Sequence, residues 1–265
     1  MTDYAVVPIE PGRYRFSHVL HAEWLKLRSL RSTRRTLFAT IAGSLLITVL
    51  ATSGIHRQGP GSWAGFDSTN QSLTGLALGS MTVGVLAILM ITGEYASGTI
   101  RSSLAATPRR PLLLAAKTAI IASLSLAVGE ILTFVCFFLG RNILEGKAPV
   151  ASISQHGVIP ALVLSGASVS LLALFGLALG VIIRHSAGAI STFVGIVFVL
   201  PVALQPLATH GNPGRFAPLE ILANSVSTVV RQSGQLSPTV GFLFLALYAV
   251  AALAIAMMCL IWRDA

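Results

Sequence analysis

A short polar stretch between two long apolar runs brings several charged and hydrogen-bonding side chains close together. Within it, Glu94, Tyr95 and Arg101 supply a carboxylate, a phenol and a guanidinium. Gly98 permits a break in helix direction. A solvated connector does not need these groups so close together, whereas a surface that binds another protein uses them. We therefore predict a docking surface made of Glu94, Tyr95, Ser97, Gly98 and Arg101.

A second chemical candidate is Glu130, an acidic residue near the middle of an apolar run. A carboxylate inside a membrane span is costly and is by default a functional-site candidate. It could line a substrate path, hold a cation or relay protons. Alternatively, it is a protonated or hydrogen-bonded packing residue, with Ser123, Ser125 and Thr133 nearby along the chain. Both readings remain open at this point.

The stretch Tyr14–Ser32 is predicted to form an amphipathic helix that lies in the membrane interface. Phe16, Leu20, Trp24 and Leu27 recur at spacings of four, four and three, which places them on one helical face. The residues assigned to this interfacial helix are Phe16, Leu20, Glu23, Trp24, Lys26, Leu27 and Arg28. We expect it to anchor and orient the first span, and it could also touch a cytoplasmic partner.

The composition sets the class of protein. Hydrophobic residues make up 54% of the chain, charged residues only 10%, and the mean hydropathy is +0.80. Soluble proteins carry about 25% charged residues, so this chain belongs in a membrane. Its net charge of +9 comes from residues beside the apolar runs, which indicates anchoring at the membrane surface rather than nucleic-acid binding. Cys136 and Cys259 lie inside apolar runs and predict neither a disulfide nor a metal site.

Six apolar runs are long enough to cross the hydrocarbon core, which takes about 20 helical residues. They are Thr36–Ile55, Leu73–Thr92, Thr118–Gly140, Val158–Ile183, Ala187–Leu207 and Val240–Trp262. Only Arg184, His185 and Ser186 separate the fourth and fifth runs, which predicts a tight helical hairpin. Small residues four apart, such as Gly176 and Gly180, predict close helix packing.

The segment between spans five and six is too long for a bare turn. Pro218 can open a helix running through Arg231, on or dipping into the outer leaflet, and its apolar stripe comprises Leu219, Leu222, Val226, Val229 and Val230. The predicted fold class is an all-α polytopic membrane protein with six transmembrane helices, an N-terminal interfacial helix and this outer helical segment. Residues 1–35 form a cytoplasmic segment, and residues 36–265 form a single six-span domain.

The basic residues predict the orientation. Most of the 18 Lys and Arg residues fall on the face that carries both termini and the loop after span two. The opposite face has only Arg57, Arg141, Lys147, Arg215 and Arg231. Because positive charge accumulates on the cytoplasmic side, both termini are predicted to be cytoplasmic.

Two motifs resemble a known family. Glu-Trp-x-Lys-Leu-Arg-Ser occupies 23–29, and Glu-Tyr-x-x-Gly-Thr-Ile-Arg occupies 94–101 after the first span. Together they resemble the membrane permease of an ABC-2 type ABC transporter, and the second is similar to G-subfamily exporters of eukaryotes. The resemblance implies that Glu94–Leu104 is a cytoplasmic coupling helix resting on a nucleotide-binding subunit. It also implies that helices between spans five and six close the outer end of the pathway.

The resemblance further implies an export permease of the plasma membrane. The sequence contains no Gly-x-x-x-x-Gly-Lys-Ser/Thr motif, so ATP and Mg are expected on a separate ATP-binding subunit, in two copies. This chain would then be non-catalytic and would hold no cofactor of its own. A second permease half, identical or homologous, is expected because six spans form one side of a two-fold pathway. The apolar spans suggest a hydrophobic or amphipathic cargo such as a drug, natural product, lipid or peptide.

Two other functions stay open on the residues alone. One is an ion- or proton-coupled secondary transporter that uses Glu130, although no convincing internal repeat relates the two halves of the chain. The other is the membrane anchor of a respiratory or lipid-modifying enzyme. Such an anchor usually carries haem- or metal-binding histidines in its spans, whereas the histidines here lie in flanks and loops, at His18, His21, His56, His156, His185 and His210.

Overall fold

The computed structural model describes residues 16–29, 31–56, 63, 65–106, 110–204, 213–228 and 236–263, and every regular element among them is helical. The helices are α1 (Phe16–Ser29), α2 (Arg31–Ser53), α3 (Ser68–Ser72), α4 (Leu76–Ser97), α5 (Thr99–Ala106), α6 (Arg110–Leu144), α7 (Val158–Ile183), α8 (Ser186–Val194), α9 (Leu200–Leu204), α10 (Pro218–Ser225) and α11 (Pro238–Arg263). A π-helical turn, Gly195–Val199, joins α8 to α9, and a short 3₁₀ turn, Pro213–Phe216, precedes α10.

The prediction of six membrane spans is confirmed. The spanning segments are Thr33–Ser53, Leu76–Ser97, Arg110–Leu144, Val158–Ile183, Ser186–Leu204 and Pro238–Trp262. The third is much longer than the predicted Thr118–Gly140, because α6 continues beyond the apolar run at both ends. The first begins at Thr33, inside the helix that crosses the predicted boundary between residues 35 and 36.

The fourth span, α7, occupies the centre of the bundle and packs against α4, α6 and α11. The first span, α2, packs against α4 and α6, and α8 packs against α4 and α7. The helices approach closely where small residues meet. A Cβ atom added to Gly176 would lie 2.7 Å from the backbone oxygen of Gly84, so α7 and α4 touch backbone to backbone there. This packing agrees with the predicted role of the small residues.

The first span turns hydroxyl groups, not its large apolar side chains, toward the bundle. The buried stripe consists of Thr40, Ser44, Thr48 and Thr52, each spaced four residues apart. Phe38, Leu46 and Leu50 lie on the outside, with more than half of each side chain exposed. Lipid solvates apolar side chains as well as the protein interior does, so small polar residues are free to mediate helix contact.

The outer helix is shorter than predicted. α10 ends at Ser225, not at Arg231, and Val229, Val230 and Arg231 lie outside the described residues. The helix ends because the following residues pair with another segment: the Oγ atoms of Ser227 and Thr228 donate to the carboxylate of Asp67, 3.3 and 3.1 Å away. The predicted start of the interfacial helix at Tyr14 also lies outside the described residues.

Candidate functional site

The stretch that contains the predicted docking residues divides into two helices at Gly98. Glu94, Tyr95 and Ser97 occupy the last turn of α4, and α5 begins at Thr99. Gly98 lies between them with φ +72°, in the left-handed region that glycine adopts without steric cost. The family resemblance implied a coupling helix over Glu94–Leu104, and Gly98 was expected to permit a break in its direction. The structure instead has the end of a span, a turn and a separate short helix.

The carboxylate of Glu94 points inward, onto a lysine of the third span. The Nζ atom of Lys117 lies 2.6 Å from Glu94 Oε1 and 2.6 Å from Glu23 Oε2. Only 5% of the Lys117 and Glu23 side chains and 14% of the Glu94 side chain are exposed. One ammonium therefore joins the interfacial helix α1, the end of α4 and the start of α6.

A second lysine completes the cluster. Lys26 Nζ donates to Glu23 Oε1 at 3.0 Å, to Glu94 Oε1 at 3.4 Å and to Ser103 Oγ on α5 at 2.9 Å. Burial alone would lower the pKa of Lys26, but the hydrogen bond to Glu23 and the two carboxylate charges raise it above its ordinary value. We call Glu23, Lys26, Glu94 and Lys117 the ion network. Its two positive and two negative charges balance, which is the condition under which charged groups tolerate burial.

The five predicted docking residues do not share one face. Tyr95 is half-buried, and the Arg184 guanidinium lies over its ring at 5.2 Å. Ser97, Gly98 and Arg101 are exposed. Of the predicted docking residues, Ser97, Gly98 and Arg101 are therefore open to a partner, whereas Glu94 and Tyr95 support them from inside.

α1 packs on α6 through a buried stripe in which only Val19 was not singled out from the sequence. Its buried residues are Val19, Glu23 and Leu27, and Val19 clusters with Leu113 and Ala116 of α6. Phe16 and Trp24 each remain 43% exposed, Leu20 is half-buried and Arg28 is exposed. The predicted apolar face is thus divided, since Leu27 is buried and Leu20 half-buried, whereas Phe16 and Trp24 are exposed.

Glu130 lies between α6 and α7. Its carboxyl carbon would be 2.6 Å from a Cβ atom added to Gly166, so it fills the space that this glycine leaves. The hydroxyls of Ser123, Ser125 and Thr133 donate to backbone oxygens of their own helix. They are therefore not donors to Glu130, and that proposed packing arrangement is not observed.

A large apolar cavity opens between spans four, five and six. Its volume is about 500 Å³, and its walls include Phe175, Leu179, Leu200 and Ile255. At the end nearest α10, the hydroxyl of Tyr248 donates to the backbone oxygen of Phe216 at 3.1 Å. A cavity of this size falls in the range that binds small molecules, about 300–1,000 Å³.

The sequence did not predict the structural roles of two residues, Lys117 and Asp67. Lys117 was counted only as part of the positive face, although a lone lysine beside an apolar run needs a partner. Asp67 precedes Ser-Thr-Asn, the pattern of a helix N-cap. Its Oδ1 accepts from the backbone N–H groups of Thr69 and Asn70, at 2.9 and 3.1 Å, and its carboxylate also holds the chain after α10.

Comparison with known proteins agrees with this architecture. Residues 19–203 match the family model described as ABC-2 family transporter protein. No curated protein matches the chain closely enough to count as a relative. The match runs from α1 through span five and includes the ion network, the turn at Gly98 and the short helix α5. The chain is therefore a multi-pass membrane protein that belongs to the ABC-2 transporter family.

Proposed function

We propose that this chain is the permease subunit of an ATP-driven exporter and that a separate ATP-binding subunit, in two copies, powers it. Membership of the ABC-2 family supports this reading, since permeases of this family generally work with such a subunit. The observation that carries the proposal is the ion network. It ties the short cytoplasmic helix α5 and the interfacial helix α1 to the ends of two spans.

The ion network can transmit a displacement of α5 to the membrane spans. A partner that pushes on the exposed side of α5 would act on Arg101 and on the adjoining turn at Ser97 and Gly98. The hydrogen bond from Lys26 to Ser103 links α5 to the network, and Lys117 passes the displacement to α6. Because the buried contacts are short and charge-balanced, α1, α4 and α6 would move together rather than slide independently.

The assembly would contain a second permease half, identical or homologous, so that two six-span units enclose one pathway. We place the complex in the plasma membrane with both termini cytoplasmic, on the strength of the positive charge at that face. The cargo is a hydrophobic or amphipathic molecule such as a drug, natural product, lipid or peptide. The apolar cavity beside Phe175 and Leu200 favours a cargo of this kind.

The test of this proposal uses Arg101→Ala, with Arg35→Ala as the control. Both residues are exposed arginines on the predicted cytoplasmic face, but only Arg101 lies on α5. Truncating one side of a charged contact that becomes buried on binding costs about 2–5 kcal/mol. We expect Arg101→Ala to lose co-purification of the ATP-binding subunit and transport-stimulated hydrolysis, at an unchanged thermal midpoint. Wild-type association and stimulation in Arg101→Ala would show that coupling occurs elsewhere, such as on α1.

A further inference from the structure

A cavity at the cytoplasmic face gathers three arginines from different elements. It has a volume of about 520 Å³ and lies where the second, third and fourth spans meet α5. Arg101 comes from α5, Arg110 from the first turn of α6 and Arg184 from the turn after α7. None of the described residues that line the cavity is acidic. Three guanidinium groups from three different elements thus line one concave site.

Two of these arginines are held in position by contacts with the end of α11 and, for Arg184, with the ring of Tyr95. Arg184 has φ +62°, and its Nη2 atom donates to the backbone oxygen of Cys259 at 3.3 Å while its guanidinium lies over the Tyr95 ring. The Nη1 atom of Arg110 donates to the backbone oxygens of Leu260 and Ile261, at 2.9 and 3.1 Å. These contacts fix the two side chains against the end of α11. The cavity is therefore built in advance rather than assembled by mobile surface residues.

The three arginines that line the cavity favour a phosphate group as the ligand. A guanidinium presents a planar fork of N–H donors that matches two oxygens of a phosphate. Arg101 is exposed and lines the same cavity, so its guanidinium can contact the same anion. Ile100 and Leu104 add an apolar wall beside the arginines, which suits an amphipathic molecule with a charged headgroup and an apolar tail.

The location decides the source of that phosphate. The cavity lies at the level where three spans leave the membrane, and basic pockets between spans on the cytoplasmic side are suited to anionic lipid headgroups. We propose that this cavity binds the phosphate headgroup of an anionic phospholipid from the cytoplasmic leaflet. The bound lipid bridges α5 to the ends of α6 and α7, and the coupling helix becomes sensitive to the lipid composition of the membrane.

The experiment measures lipid binding to the full-length chain by native mass spectrometry and in nanodiscs. Phosphatidylglycerol is compared with phosphatidylcholine for the wild type, Arg101→Gln, Arg184→Gln and the control Arg35→Gln. Losing one charged hydrogen-bonding partner should weaken phosphatidylglycerol binding about tenfold. The control, which removes the same charge from the same face, should bind like the wild type. Arg184→Gln could lower the thermal midpoint because Arg184 also contacts α11 and Tyr95. Arg101 is exposed, so Arg101→Gln should keep the fold intact and test binding alone.

The outcomes separate the lipid from other anions. Equal binding of phosphatidylglycerol and phosphatidylcholine by the wild type, or equal losses in Arg101→Gln and Arg35→Gln, would overturn the proposal. Binding of soluble glycerol 1-phosphate as tightly as phosphatidylglycerol would assign the site to a soluble phosphate instead. If Arg101→Gln loses the ATP-binding subunit but keeps wild-type phosphatidylglycerol binding, the arginines serve a protein partner and the lipid assignment is wrong.

Discussion

Replacing Lys117 with methionine would leave two buried carboxylates, Glu23 and Glu94, with only Lys26 to balance them. Methionine matches the length of the lysine stem, so the change removes charge with little loss of packing. Removing one partner of a buried ion pair costs about 3–5 kcal/mol, because the remaining charge is left uncompensated. Lys26 lies 3.0 Å from Glu23 and 3.4 Å from Glu94, but it recovers little of this because its side chain is 45% exposed and solvent screens its charge. We expect the free energy of unfolding to fall by about 3–5 kcal/mol.

The matched control is Lys26→Met, the same substitution in the same network at an exposed position. An exposed ion pair contributes about 0–1 kcal/mol, so this variant should stay close to the wild type. The assay is unfolding of the purified protein by denaturing detergent, with the thermal midpoint as a second readout. Adding Glu94→Gln to Lys117→Met restores charge balance and should recover part of the loss. Equal effects of Lys117→Met and Lys26→Met would refute the reasoning.

Three further predictions rest on single positions. Gly176→Ala should lower the free energy of unfolding by about 1–3 kcal/mol, because the added Cβ would lie 2.7 Å from the backbone oxygen of Gly84. The control is Gly93→Ala, whose added Cβ has no neighbour within 4 Å and which should be neutral or stabilising in the same unfolding assay. Glu130→Gln should not lower the thermal midpoint, because the described residues show no hydrogen bond or ion pair to its carboxylate; a change in transport alone would place it on the pathway. A cysteine at 109, in a Cys136→Ser, Cys259→Ser background, should resist an impermeant reagent added outside intact cells, and labelling would reverse the predicted orientation.

The six spans could be predicted because the thickness of the hydrocarbon core sets the length of an apolar run. Their ends could not, because interactions with distant residues decide how far a helix continues. The predicted third span began after Lys117, as a charged residue normally bounds an apolar run. In the structure Glu23 neutralises Lys117 from 94 residues away, and α6 therefore extends back to Arg110 without a break.

Helix faces were harder to predict than helix positions, and the reason is specific to membranes. The spacing of Phe16, Trp24 and Leu27 predicts one apolar face on α1, but Phe16 and Trp24 are exposed whereas Leu27 is buried. The face that packs on the bundle contains Glu23, whose partner lies in another helix. In α2 likewise, Thr48 faces inward and Leu50 faces outward. Apolar periodicity therefore locates such helices without indicating which side contacts the protein.

We propose that the motif from Glu94 to Arg101 combines an internal anchor with a contact to the partner, and the two roles can be separated by mutation. Glu94 ends α4 facing Lys117, the left-handed turn at Gly98 redirects the chain, and Arg101 emerges on the exposed side of α5. Glu94→Ala should therefore lower both the thermal midpoint and the stimulation of ATP hydrolysis, because it unbalances the network that supports α5. Arg101→Ala should lower stimulation alone. If Glu94→Ala lost stimulation at an unchanged midpoint, Glu94 would contact the partner directly, and the inward contact with Lys117 would not be its main role.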